Sequence, residues 1–337
     1  MKSPKFVVVI GTSAGGLSAL SELIPQLNSE MNAAFFIVMH LSKSAISDYL
    51  AHRLQPLTSL TCHVAKDAMQ IERGHIYIAP PNEHLIVIKD QVVVGHGPAE
   101  NLWRPSIDVL FRSAAAAYNS YCIGIILTGY LNDGTAGMMA IKRSGGVCIV
   151  QDPNEAEVAD MPLNVLNNME VDHAAGLGEI GDILGIVMAH ERTPVDPPPE
   201  IVAEAEIASR MAVGIDRVTR LGQRSVYSCP DCGGGLWKLG GEGMTRYRCY
   251  TGHTYNESDL LSKQGDNIEE TLWVAVRMME ERNNLYLKIA SDNRKKGISR
   301  LATGYDHQAR ELKGHIDTLK KVLVEIQRNR SESSRAN

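Results

Sequence analysis

The chain has 337 residues, a formal net charge of -5 and 44% hydrophobic residues, enough for one large domain with smaller attachments. Only 5% of the residues are aromatic, so the core is aliphatic; with the negative charge, this argues against a generic nucleic-acid binder. No apolar run approaches the ~18 residues that span a bilayer, and the stretch after Lys2 and Lys5 is short and leads into glycines, so the chain reads as cytoplasmic without membrane insertion.

From residue 5 to about 190, short apolar runs alternate with amphipathic stretches. "KFVVVI", "AAFFIVM", "LTCHVA", "HIYIA", "CIGIILT" and "GVCIV" read as strands, most of them apolar on both faces. "GLSALSELIPQL", "RPSIDVLFRSAAAAYN", "TAGMMAIKRSG" and "EIGDILGIVMAHE" read as helices. That alternation predicts a doubly wound α/β domain with a mostly parallel sheet covered on both sides. "HLIVIKDQVVVGH" differs, because two alternating runs around Lys89-Asp90 predict an antiparallel hairpin.

"ERTPVDPPPE" breaks the pattern, since proline fixes φ and removes backbone donors. The expected organisation is an α/β domain over 1–191, a Pro-rich linker and short helix over 192–223, a small Cys/Gly-rich module over 224–257, a helical hairpin over 264–328 and a disordered tail over 329–337. In the hairpin, Ile268, Leu272, Ala275 and Met279 repeat at helical spacing. Leu312, Ile316, Leu319, Leu323 and Ile326 follow a 4,3,4,3 rhythm that suits a narrow seam, within one chain or between chains.

Ligands of open α/β sheets bind beyond the carboxyl ends of the strands. Three chemically suited residues fall there: Ser13 in "IGTSAGG", His40 closing "FFIVMH", and Asp133 in "LTGYLNDGTAG". A serine hydroxyl is a weak nucleophile until an imidazole takes its proton, and the imidazole needs a buried acceptor to hold its tautomer. Taken singly, Ser13 also fits a tight glycine turn, His40 a strand-end histidine bonded to backbone, and Asp133 an N-cap for the following helix. A dinucleotide fingerprint needs a middle glycine where Ser13 stands and an acid where His40 closes the second strand, and no phosphate-loop lysine is present. The order Ser…His…Asp also differs from the Ser…Asp…His order of α/β-hydrolases.

"YSCPDCGGGLWKL…YRCYTGH" places Cys229 and Cys232 in a C-x₂-C knuckle and Cys249 and His253 in C-x₃-H after an apparent β-hairpin. Three thiolates and an imidazole suit tetrahedral Zn²⁺ and leave no open position, so a structural zinc-ribbon-like module is expected, while catalysis needs no cofactor. A ribbon of this size has little core of its own, so metal would supply its stability. Cys62, Cys122 and Cys148 sit singly in apolar segments as buried thiols.

At its loops the sequence resembles the chemotaxis receptor methylesterase family (CheB type, protein-glutamate methylesterase). "IGTSAGG", "VMHLS" and "LTGYLNDGTAGM" resemble that family's serine, histidine and aspartate loops, and "PPNEHL", "RPSIDVLFRSAA" and "VQDPNEAEVADMP" follow in the family's order, together covering about residues 5–190. The resemblance implies a serine esterase in which Ser13 is nucleophile, His40 base then acid, and Asp133 the orienting carboxylate. It implies hydrolysis of glutamate methyl esters on chemotaxis-type receptors, with glutamine deamidation through the same acyl-enzyme. The implied partners are methylated receptors, with a methyltransferase or a separate receiver protein beside them. Ala14 stands where the family usually has threonine, and its N–H is the expected oxyanion donor; Tyr130 stands where the family has methionine and is the expected pocket residue. Typical members carry a receiver domain ahead of the esterase, whereas here the catalytic strand comes at once, so control through another polypeptide is expected. The ribbon and hairpin are then read as docking elements separable from catalysis. The competing reading is a non-catalytic adaptor that keeps the esterase fold.

Overall fold

The computed structural model describes residues 3–40, 47–210, 219, 221–239 and 244–336. The chain divides into two compact units, Met1–Asp259 and Leu260–Asn337.

The first unit is built on a seven-stranded, all-parallel sheet in the order β3-β4-β2-β1-β7-β8-β9. Its strands are β1 (Phe6–Thr12), β2 (Ala33–Met39), β3 (Thr61–Val64), β4 (His75–Ile78), β7 (Cys122–Ile126), β8 (Val147–Gln151) and β9 (His173–Ala175). Every residue of β1 is buried, as a central parallel strand requires. Its side chains alternate between two separate cores: Val7 and Val9 join one, Phe6, Val8 and Ile10 the other. Covering the first face are α3 (Ile107–Tyr118), α4 (Thr135–Arg143), α5 (Asp160–Asn168) and the antiparallel hairpin β5 (His84–Ile88)/β6 (Gln91–Gly95), which turns at Lys89-Asp90. The second face packs on α1 (Gly16–Leu23), α2 (Ser47–Leu54) and α6 (Ile180–Ala189).

Three elements were not legible from pattern. Helix α5 carries Pro162 in its first turn, β9 is three residues long, and α2 follows the histidine loop with a mean hydropathy too low to announce a core helix. Leu41 and Ser42 of the "VMHLS" motif lie outside the described residues.

The region read as a linker is tied to the catalytic body. Tyr121 Oη donates to Arg192 O (2.9 Å), Arg192 Nη1 to Gly145 O (3.1 Å), and Val195 N to Ser120 Oγ (3.0 Å). Helix α7 (Pro199–Arg210) then places Ile201 in the first core. The cysteine module forms a four-stranded antiparallel sheet, β10 (Gly222–Ser228), β11 (Gly235–Leu239), β12 (Arg246–Cys249) and β13 (Thr254–Asn256). It lies in the same compact unit as the seven-stranded sheet rather than standing apart from it.

A buried ionic cluster joins these parts. Arg248 Nη1 donates to Glu100 Oε1 (2.9 Å), and Arg112 Nη2 to Glu100 Oε2. Arg246 grips Glu204 of α7 with two bonds of 2.9 and 2.8 Å. Burial alone would raise the Glu100 and Glu204 carboxyls, but the guanidinium charges outweigh it and hold both down at about 2. Because the folded values lie below the unfolded ones, the stabilisation is full above pH ~4.5 and is lost as pH falls from there towards 2. It is on the order of 3 kcal/mol for each carboxyl. Urea unfolding is therefore expected to show stability dropping steeply between pH 5 and 3. The double variant Glu100→Gln/Glu204→Gln should be less stable at pH 7 and lose that slope; an unchanged slope would show that other carboxyls drive acid unfolding.

The second unit is the expected helical hairpin, with α8 (Glu257–Lys295) and α9 (Ser299–Ala336) joined at Gly297, whose φ of 77° lies in the left-handed region. Val276, Ile316 and Leu323 form its buried seam, flanked by Leu272, Met279, Leu312 and Leu319. The seam is thus closed within the chain, while Ile268 is exposed. Helix α9 runs on to Ala336 through the segment read as a disordered tail.

Candidate active site

The strand order reverses between β2 and β7, with β1 at the centre, and the loops leaving these three strands meet at one rim. Register does the placing. Thr12 pairs with Met39 and Gly11 with Ile126, so Ser13 and His40 each follow the last pair of neighbouring strands. His40 N then donates to Thr12 O (3.1 Å), and Ser13 N to Thr128 O (3.0 Å).

His40 and Asp133 are in direct contact: Nε2 of the imidazole lies 2.9 Å from Oδ2, with both side chains buried. The proton on that nitrogen leaves Nδ1 as the acceptor, and Nδ1 is buried with no partner among the described residues. The best-known serine triads use the two nitrogens the other way round, a distinction invisible in a sequence. Trp103 stacks on the His40 ring at 4.1 Å between centroids and 5° between planes, fixing its orientation.

Asp133 accepts six hydrogen bonds. Besides His40, Oδ2 receives Ile107 N (2.7 Å), and Oδ1 receives Asn101 Nδ2 (2.9 Å), Ser106 Oγ (2.9 Å), Asp108 N (3.2 Å) and Gly134 N (3.1 Å). The carboxylate therefore sits at the N-terminus of α3, using that helix's free N–H groups, rather than serving only as a cap on α4. Burial works against its charge, but the His40 contact, Asn101 and the Ile107 N–H prevail and hold it below the usual range. The neighbouring Asp108 is pushed up to about 6 by burial first and then by the Asp133 charge. Asn101 Nδ2 bridges the two, with Asp108 Oδ2 at 2.7 Å.

Ser13 is half-buried and lines a cavity of about 650 Å³ together with Gly15, Leu17, Met39, His40 and Glu157. Among the described residues its hydroxyl makes no hydrogen bond, to His40 included; such contacts commonly close only around substrate. The N–H groups of Ala14 and Gly15 are likewise unengaged among the described residues, at the mouth of α1, where an oxyanion would be received. Tyr130 is 57% exposed and is not among the residues that line this cavity, although Gly129 before it packs close against Ser13.

Sequence reasoning missed Asn101, Trp103, Ser106 and Thr128. Thr128 Oγ1 donates to Ala14 O (2.9 Å) and accepts from Val158 N (2.9 Å), locking the serine loop to two others. Gly129 allows that close approach: a Cβ there would lie 2.7 Å from Ser13 Cβ and 2.2 Å from Met161 Sδ. Gly129→Ala is expected to displace Ser13 and lower kcat about 100-fold; activity close to that of the parent would show that the serine loop yields without harm.

In the ribbon, the donor atoms of Cys229, Cys232, Cys249 and His253 all lie within 4.8 Å of one another. Cys232 Sγ–Cys249 Sγ is 3.7 Å, Cys229 Sγ–His253 Nδ1 3.7 Å and Cys249 Sγ–His253 Nδ1 3.4 Å. A tetrahedron with metal–sulfur bonds of about 2.3 Å has edges of about 3.8 Å, so the four residues fit such an ion.

Comparison with known proteins covers the α/β body. The sequence model of the family described as CheB methylesterase matches residues 8–184. A putative protein-glutamate methylesterase/protein-glutamine glutaminase of Leptospira interrogans is 37% identical over 177 residues, which are 52% of this chain and 91% of that protein. A protein-glutamate methylesterase/protein-glutamine glutaminase of Geobacter metallireducens is 34% identical over 182 residues, covering 53% of this chain and 50% of its own length. The solved CheB methylesterase catalytic domain of Thermotoga maritima matches with a TM-score of 0.52 and 31% identity, over 55% of this chain and 98% of that one. The α/β body, its rim and the order of its loops place the chain in the CheB methylesterase family.

Proposed function

We propose that the chain hydrolyses glutamate side-chain methyl esters on chemoreceptor-type signalling proteins, and deamidates glutamine side chains through the same acyl-enzyme. The observation that carries this reading is the buried His40–Asp133 pair, with its free Nδ1, on the cavity that Ser13 lines. Ser13 Oγ attacks the ester carbonyl as His40 Nδ1 takes the hydroxyl proton. The Ala14 and Gly15 N–H groups receive the oxyanion. Collapse of the tetrahedral intermediate expels methanol, which leaves with the proton from His40; water, deprotonated by the same nitrogen, then frees the glutamate and Ser13. From a glutamine side chain the leaving group is ammonia.

Cys229, Cys232, Cys249 and His253 would hold a structural Zn²⁺, four protein ligands leaving no site for substrate. No described helix is long and apolar enough to cross a membrane, which is consistent with a cytoplasmic enzyme. A methyltransferase that writes the mark is the further partner this reading calls for. Methanol release from a methylated receptor fragment, measured for the parent chain and for Ser13→Ala, tests it. Equal release from both would remove the esterase reading and favour the adaptor.

A further inference from the structure

The cysteine ribbon touches the active site from behind, at two of the loops that hold Asp133. Thr254, which directly follows the metal donor His253, accepts the N–H of Asn101 at its carbonyl (2.9 Å). Asn101 is the residue whose amide binds Asp133 Oδ1. Two residues further along β13, Asn256 Nδ2 donates to Asn132 Oδ1 (2.7 Å), next to Asp133 in sequence. Glu100, on the other side of Asn101, is anchored by Arg248 of β12, immediately before the metal donor Cys249.

The loop held in this way does not rest in an ordinary conformation. Asn101 and Leu102 have φ values of 51° and 69°, in the left-handed region that a leucine rarely adopts. Such a backbone persists only where surrounding contacts over-determine it. Trp103, which stacks on His40, is the next residue. The 100–103 segment therefore carries one group on each member of the buried pair, Asn101 on Asp133 and Trp103 on His40, and it leans on β13.

We propose that β13 of the ribbon positions the catalytic pair, with Asn101 and Asn256 as positioning residues, so that metal held by Cys229, Cys232, Cys249 and His253 tunes the esterase. Loss of metal would free the strand that follows His253, release the Asn101 N–H and let Asn101 and Leu102 leave their left-handed conformation. The ribbon is then an integral brace of the active site rather than a separable docking element.

Tryptophan emission tests this without relying on the esterase reading, which only the kinetic arm needs. The chain has three tryptophans, so Trp237→Phe/Trp273→Phe leaves Trp103 as sole reporter in the full-length protein. Chelation, followed by elemental analysis for zinc, should change Trp103 emission, because the ring leaves its stack on His40. Metal that leaves with emission unaltered would overturn the proposal, as would a chain that never held metal yet keeps Trp103 stacked. Should chelation unfold the whole chain, Asn256→Ser carries the test, since it keeps an acceptor for Asp259 N while removing the amide on Asn132. In that variant kcat should fall about 10- to 100-fold with KM within about twofold, and Trp103 emission should change. Unchanged emission would overturn the brace, whatever the activity; changed emission in a chain that releases no methanol would uphold the brace and sink the esterase reading alone.

Discussion

Ser13→Ala is expected to lower kcat for methyl-ester hydrolysis by about 10⁴-fold or more, with KM little changed. The size follows from what remains. Without the hydroxyl, His40 can at best activate water, which the cavity does not hold against the carbonyl as a covalently tethered oxygen is held. The residual rate would come from the oxyanion donors and binding alone. The fold should be unaffected, because Ser13 Oγ makes no hydrogen bond among the described residues and its backbone contacts, Ser13 N to Thr128 O and Gly16 N to Ser13 O, do not involve the side chain. Methanol release under saturating substrate, with a melting curve as control, measures this. A folded Ser13→Ala protein within tenfold of the parent would refute the nucleophile assignment.

Asp133→Asn is expected to lower kcat by a similar factor, about 10⁴-fold, for a different reason. The carboxylate offers acceptors only, and all six of its partners are donors. An asparagine must turn its NH₂ towards one set of them. Keeping oxygen on the four Oδ1 partners puts N–H hydrogens against His40 Nε2 and the Ile107 N–H. The imidazole must then carry its proton on Nδ1, the nitrogen that should accept from Ser13. Rotating the amide the other way restores the tautomer but sets NH₂ against four donors, a costlier arrangement for buried groups. The loss should therefore appear in kcat at every pH where the parent is active, along with a lower melting temperature from the orphaned α3 N–H. Parent-like kcat in Asp133→Asn would mean that the His40 tautomer does not matter to the reaction.

The outcome for each part of the site traces to the kind of signal that carried it. Ser13, His40 and Asp133 were legible because each lies in the loop that follows a recognisable strand, and a parallel sheet must bring such loops to one edge. The convergence of Cys229, Cys232, Cys249 and His253 was legible at smaller scale, since two short spacings on adjacent hairpins can converge only locally. Tyr130 was named from a departure in a motif, which says that a side chain differs but not where it points; it is 57% exposed, next to the Gly129 that packs on Ser13.

Sequence by itself determined the alternation of buried strands and helices, the hairpin at Lys89-Asp90, the C-terminal helix pair and the choice of Ser13, His40 and Asp133 as candidates, because these depend on periodicity and on residue chemistry within short windows. Only the tertiary structure decided which imidazole nitrogen faces Asp133, that α3 offers its N-terminus to that carboxylate, and that the ribbon lies against Glu100 and Asn101. Those facts rest on contacts between residues as far apart as Glu100 and Arg248, whose pairing is set by how separate elements pack and leaves no period or spacing along the chain.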